Sequence, residues 1–262
     1  MENNILAAVK EVPGLLTTIY GDLAQPSVKA IGSTIGTLLE FSTLWHLKLK
    51  LKNEKEKAQF KHHLDQYNAK LENVPEEELI EVNPQIGVPI LERLSYTTNE
   101  ELADLFTTLL KKASSSSTVN EAHPRFINAI EGLTVDEARI IKHLYGKVRI
   151  ASVTFRVKTT DADGGFTDVV KNATMLKFVN LDFPQDIGLY IANLISLGIL
   201  EHHTDLMLPE TALYNQLVEK YDYNSYVQNL QHESNFASID IKRGIYEITD
   251  YGQRFISAVI HS

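Results

Sequence analysis

The chain has 262 residues, 44% of them apolar, which is enough to bury a core and too apolar for a disordered polymer. Its formal charge of −9 lacks the surplus of Lys and Arg that displaces counterions, so non-specific nucleic-acid binding is not expected. The absence of cysteine excludes disulfides, thiolate metal sites and cysteine nucleophiles, and suits a reducing, cytoplasmic compartment.

The charge is uneven. Residues 1–52 carry five basic and four acidic side chains, whereas residues 53–146 carry ten and sixteen. The acidity therefore sits in the body of the chain. The opening Met1-Glu2-Asn3-Asn4 lacks the basic run of a secretory signal.

Residues 5–20 read as one or two short apolar helices interrupted at Pro13. Gly21-Asp22-Leu23-Ala24-Gln25-Pro26 is a turn signal. A longer helix is predicted from Ser27, with Ile31, Ile35, Leu38, Trp45 and Leu49 on one stripe. A lysine cluster follows at Lys48, Lys50, Lys52, Lys55, Lys57 and Lys61. Phe60, Leu64, Tyr67 and Leu71 recur at helical steps and mark the next amphipathic helix, closed by Val74-Pro75. Glu76-Glu77-Glu78 reads as a solvated helix start, where acids suit the dipole. Pro89 is expected in the first turn of a short helix through Leu94.

Asn99 caps a predicted helix over 100–113, with Leu102, Leu105, Phe106, Leu109 and Leu110 inward. Residues 114–120 form a polar loop, and Pro124 opens a helix through Ile130. Thr134-Val135-Asp136-Glu137 is a capping box, and Gly146 ends the helix that follows. The period then changes. Val153, Phe155 and Val157 alternate with Thr154, Arg156 and Lys158, which is strand spacing. Asp163-Gly164-Gly165 is a turn, and 166–170 the returning strand. Residues 187–197 are helical, ended by Gly198, and 211–230 form another helix. Ile239 and Ile241, then Ile245 and Ile248, predict a hairpin about Arg243-Gly244, and Thr249 caps a last helix to Ile260.

The expected fold class is mostly α, a multi-helix amino-terminal body followed by an α+β winged-helix-like carboxy-terminal region. Three segments are expected: apolar amino-terminal helices over 1–52, a helical body over 53–146, and the winged-helix-like region over 147–262.

Two stretches resemble a known family. One is Val88-Pro89-Ile90-Leu91-Glu92-Arg93-Leu94-Ser95-Tyr96 followed by Asn99-Glu100-Glu101-Leu102-Ala103-Asp104-Leu105-Phe106; the other is His123-Pro124-Arg125-Phe126 with Leu133-Thr134-Val135-Asp136-Glu137-Ala138. Both look like the Abi-alpha (abortive infection alpha) family of bacterial proteins. Leu194-Ile195-Ser196-Leu197-Gly198-Ile199-Leu200 and Tyr246-Glu247-Ile248-Thr249-Asp250-Tyr251-Gly252 fit that family's layout. The likeness runs from about Val88 onward, with a weaker echo at 21–26. It implies a role in phage defence, with which the family is associated by context. The shared motifs are of the helix-packing kind, so no mechanism and no catalytic residues come with them.

The tail is also similar to winged-helix regulators, whose wing and recognition helix touch phosphates. Here the wing candidate offers only Lys242 and Arg243, and the helix over 187–197 has no Lys or Arg. A packing unit is expected rather than a DNA reader.

Chemistry-bearing motifs are sparse. There is no Gly-x-Ser-x-Gly, P-loop, Gly-x-Gly-x-x-Gly or His-Glu-x-x-His. His62 and His63 point to adjacent faces of one helix and do not share a metal, even with Asp65 nearby. His202-His203 reads as solvated, and His123 as standing at a helix entrance. Asp161 and Asp163 faintly suggest a cation loop but lack the closing Glu of an EF-hand. The expectation is therefore a protein with no enzyme activity, no cofactor and no metal. A hydrolase or nuclease with a dispersed site, and a winged-helix transcription regulator, are the alternatives.

The residues singled out lie in the amino-terminal helix. Gly32 and Gly36, four apart, allow a second helix to approach closely. Trp45, Lys48, Lys50 and Lys52 follow as candidates for helix packing or contact with anionic lipid headgroups. Core or oligomer packing, reversible surface binding and spanning are the three readings. The run of about 18 residues stands at the lower edge of what crosses a bilayer. The expected function is anti-phage defence of the abortive-infection type, by sensing a protein partner (phage-derived ones included) and by homo-oligomer or peripheral inner-membrane contact.

Overall fold

The computed structural model describes residues 34, 38, 54–159, 165–230 and 236–260. They fall into two compact units, residues 1–138 with 257–262, and residues 139–256.

The first unit is helical. Helix α1 (Glu54–Leu71) buries Phe60, Leu64, Tyr67 and Leu71, the stripe that the sequence spacing predicts. A 3-10 turn over Glu76–Glu78 replaces the helix start expected there. Helix α2 (Pro84–Leu94) begins a turn earlier than its Pro89 suggests. Pro84 takes the first-turn position and Asn83 accepts from the Gln85 N–H at 2.9 Å, so Pro89 lies inside the helix. Helix α3 (Glu100–Ala113) is started by Asn99, whose Oδ1 accepts from Glu101 and Leu102 N–H at 2.9 and 3.3 Å. It packs on α1 and α2.

Helix α4 (Pro124–Glu131) is capped by the His123 side chain, whose Nδ1 accepts from the Arg125 N–H at 3.1 Å. Helix α5 (Val135–Leu144) carries the predicted capping box. The Thr134 N–H donates to Glu137 Oε2 at 2.6 Å, and the Glu137 N–H to Thr134 Oγ1 at 3.3 Å. Gly146, at φ +75°, ends it in the left-handed conformation that glycine adopts without penalty.

The second unit is built on an antiparallel sheet of order β2-β1-β4-β3. Strands β1 (Arg149–Thr159) and β2 (Phe166–Ala173) match the predicted alternation. Helix α6 (Ile187–Ser196) leads through Gly198 into a short strand β3 (Leu200–His203). Helices α7 (Thr211–Lys220) and α8 (Tyr223–Leu230) are separate, because Asp222 takes a positive φ of 50° between them. The predicted single helix over 211–230 is thus broken.

The predicted hairpin about Arg243-Gly244 is also overturned. Strand β4 (Phe236–Ile248) runs straight through it, pairing with β1 from Arg149↔Glu247 to Thr159↔Phe236. Gly244 sits opposite Ser152, where an added Cβ would lie 2.7 Å from the His203 carbonyl oxygen. The glycine serves close strand approach rather than a turn. Val153, Phe155, Val170 and Ala173 form the sheet side of the core, against Tyr214 and Leu217 of α7. The Tyr214 hydroxyl donates to the Gly244 carbonyl at 3.1 Å and fixes α7 on the sheet. Helix α9 (Asp250–Val259) opens on Thr249, whose Oγ1 accepts from the Gly252 N–H at 2.9 Å.

Candidate functional site

A cavity of about 260 Å³ opens in the first unit, where the end of α2, the connection to α3, α3 itself and α4 meet. Phe106 and Ile130 are buried at its inner side, with Leu102 half-buried beside them. Arg93, Tyr96, Thr97, Thr98, Asn99 and Glu131 complete the lining.

Local chemistry places each group. Asn99 sets the start of α3, so Leu102 and Phe106 fall one turn apart on one face. Thr97 Oγ1 donates to the Arg93 carbonyl at 2.8 Å, and the Thr97 carbonyl accepts from Gln59 Nε2 at 2.8 Å. That anchors the connection to both α1 and α2. Arg93 reaches across the mouth to an ion pair with Glu131, and its Nη1 donates to the Tyr96 hydroxyl. Its guanidinium carbon lies 5.5 Å from the centre of the Tyr96 ring, within cation–π range. An ion pair this exposed stabilises by about 0–1 kcal/mol, so its weight lies in what the mouth presents.

In the same unit, α1 carries a line of buried and half-buried polar groups. Tyr67 is fully buried between two hydroxyls, Thr34 Oγ1 at 2.9 Å and Ser114 Oγ at 2.6 Å. Ser114 donates its proton to the Leu110 carbonyl at 2.6 Å, so it accepts from Tyr67, and Tyr67 accepts from Thr34. Burial pushes the Tyr67 hydroxyl up to about 12. One turn on, Lys70 Nζ meets four acceptors: Asp104 Oδ1 at 2.7 Å, the Asp104 carbonyl at 2.9 Å, Thr107 Oγ1 at 2.7 Å and Thr108 Oγ1 at 2.6 Å.

His63 is also fully buried. Its Nδ1 stands 3.0 Å from the Leu94 carbonyl, so Nδ1 carries a proton and donates. Its Nε2 is buried without a hydrogen-bond partner. Desolvation holds the imidazole below its ordinary 6.5, against the opposing pull of the Leu94 carbonyl and Glu100. His62 turns away, with Nε2 3.4 Å from Glu100 Oε2 and a ring 6.0 Å from that of His63. The two imidazoles do not converge, as the helical spacing predicts, and Asp65 pairs with Lys61 at 3.1 Å.

In the second unit the histidine pair lies on β3, a strand that the sequence reading misses. His202 stacks on Tyr246 at 4.4 Å between ring centres, and its Nε2 stands 3.4 Å from Ser152 Oγ. Burial, then His203 and Lys242, hold His202 below 6.5. A serine beside a neutral histidine begins a nucleophile–base pair. Here the contact is long, and the strand carboxylates Glu201 and Glu247 face His203 instead, at 3.9 and 3.7 Å. Arg243, expected on a wing, lies over the Tyr214 ring at 5.5 Å. Among the described residues, no three His, Asp or Glu side chains stand together as a metal site.

Gly32, Gly36, Trp45, Lys48, Lys50 and Lys52 lie outside the described residues, as do Asp161 and Asp163. Thr34 and Leu38, from the same predicted helix, are helical and fully buried in the first unit. Among the described residues no helix is long and apolar enough to cross a membrane. Arg93, Tyr96, Asn99, Leu102 and Phe106 belong to the helix-packing stretches of the sequence, and that they also line a cavity has no signal in their spacing.

Comparison with known proteins gives the class. The sequence profile of the abortive infection alpha family matches residues 52–259. The chain belongs to the abortive infection alpha family, which supports a role in phage defence. No curated protein matches the chain. Among solved structures, it is similar to an uncharacterized protein from the hydrocarbon-degrading marine bacterium Alcanivorax borkumensis SK2. That likeness has 18% identity and a TM-score of 0.32, over 51% of this chain and 91% of the other.

Proposed function

We propose that the protein is a non-enzymatic anti-phage protein that senses a protein partner through its helical unit and responds through amino-terminal contacts with other copies or with the cytoplasmic face of the inner membrane. The family match over residues 52–259 supports the anti-phage part of this reading. The non-catalytic part is supported by the employment of the histidines: His123 caps α4, His63 holds the end of α2, His202 stacks on Tyr246 and His203 faces two carboxylates.

The amino-terminal part rests on spacing. Thr34 and Leu38 use one face of their helix for the core: the Thr34 hydroxyl meets Tyr67, and Leu38 lies where a Gly87 side chain would otherwise be. On the helical spacing expected from the sequence, positions 32 and 36 fall roughly 160–200° round from Thr34, which makes them the candidates for meeting a second helix. The winged-helix regulator is the weaker reading, because the expected wing is mid-strand and α6 carries no basic residue.

Expression in a phage-sensitive bacterium tests the proposal. Wild-type chain lowers phage plating efficiency, and Gly32→Leu with Gly36→Leu abolishes protection without lowering the melting temperature of the purified protein. Absence of protection by the wild type against a broad phage panel overturns the defence reading. Protection retained by the double variant overturns the role of the glycines.

A further inference from the structure

A 3-10 turn over Met175–Phe178 follows β2 in the second unit. Tyr221, just past α7, holds its start. The Tyr221 hydroxyl accepts from the Thr174 N–H and donates to the Thr174 carbonyl, both at 3.0 Å. Leu176 is buried, while Met175 and Phe178 stand 37% and 44% exposed. A fixed backbone thus presents two apolar side chains, so little ordering is left for a partner to impose.

The charges beside them are unusual for an acidic chain. Lys177 reaches over the Tyr221 ring at 5.1 Å and Lys220 over the Phe178 ring at 5.6 Å, and the two rings meet edge to face at 5.5 Å. Among the described residues neither ammonium has a carboxylate partner. A ring covers one side of an ammonium, so N–H donors remain. The acids next in sequence are directed elsewhere. Glu219 falls about 100° round α7 from Lys220, and Asp222 Oδ2 accepts from the Ser225 hydroxyl at 2.5 Å.

We propose that this platform docks an acidic segment of a protein partner, with one apolar side chain against Met175 and Phe178 and its flanking carboxylates on Lys177 and Lys220. It is a second contact surface, independent of the partner reading of the helical unit. Two uncompensated cations match two carboxylates. A nucleic-acid strand brings many more charges, which the −9 of the whole chain repels. Like-charge repulsion rejects basic segments.

The test uses the full chain and three capped tripeptides: acetyl-Glu-Phe-Glu amide, acetyl-Lys-Phe-Lys amide and acetyl-Glu-Gly-Glu amide. The chain has three methionines, so the Met175 methyl signal is readily followed by NMR, with Met207, which precedes the other end of α7, as the control. The first peptide shifts Met175 and not Met207, with a dissociation constant on the order of 1 mM, and added salt weakens it. The basic and glycine peptides leave both signals in place. Lys177→Gln and Lys220→Gln each weaken binding by about two- to five-fold while the melting temperature holds. Phe178→Ala abolishes the shift.

Equal response to the basic peptide, no response to any peptide, or unchanged affinity in both lysine variants overturns the proposal. So does hexathymidylate that shifts Met175 at lower concentration than the acidic peptide, since a nucleic acid would then be the occupant.

Discussion

Replacing Lys70 by methionine keeps the aliphatic stem and removes the ammonium. Lys70 sets its three N–H groups against four acceptors of α3. Its side chain is 13% exposed and the Asp104 side chain 37%. The two threonine hydroxyls already donate to the Asp104 carbonyl, at 3.1 and 2.7 Å, and continue to do so in the variant. What is lost is a charge-assisted hydrogen-bond set, worth about 1.5–3 kcal/mol, with the lower half favoured because Asp104 can recover water. At about 2–4 °C per kcal/mol, the melting temperature falls by roughly 3–12 °C. Urea and thermal unfolding followed by circular dichroism measure this, with Asp104→Asn and the double variant completing a cycle. The cycle shows a coupling of about 0.5 kcal/mol or more. A Lys70→Met chain within about 0.5 kcal/mol of wild type, the ordinary scatter of surface changes, refutes the view that this lysine ties α1 to α3.

Gly252→Ala in α9 is expected to destabilise by the upper end of about 1–3 kcal/mol in urea, because its Cβ would stand 2.3 Å from the Ile199 carbonyl oxygen; helix propensity alone predicts the opposite sign. Gly87→Ala puts a Cβ 2.1 Å from Leu38 Cδ1, so it lowers the melting temperature, and pairing it with Leu38→Ala costs less than the two changes summed. His63 is held neutral by burial, with a folded-state pKa below its unfolded 6.5. Its contribution is therefore constant above pH 6.5, and stability is lost as pH falls from there through the lowered value. Chemical denaturation between pH 7.5 and about 5 shows this fall, and His63→Leu flattens it relative to wild type.

Features set by neighbouring residues were legible in the sequence. The Thr134–Glu137 capping box, the Asn99 cap and the glycine stops at 146 and 198 need only a few residues to act, so their spacing announces them. Features set by distant residues were not. Strand β3 is four residues long and ends in two histidines, leaving no alternation to read; it exists because β4 offers an edge. Gly244 looks like a turn from its own neighbours, and only the approach of His203 and Ser152 explains it. The same holds for the cavity. Arg93 and Tyr96 are visible in a motif, but Ile130 and Glu131 reach them only when α4 folds back on α2.

The pairing of β1 with β4 has a consequence during synthesis. Arg149 and Glu247 face each other across 98 residues of chain. At roughly 5–20 residues per second, β1 leaves the ribosome about 5–20 s before its central neighbour exists. For that interval β2 is the only strand paired with β1, and one long edge of β1 lies open to any passing strand. A nascent chain stalled between β2 and β4 is thus expected to aggregate more readily than the finished protein.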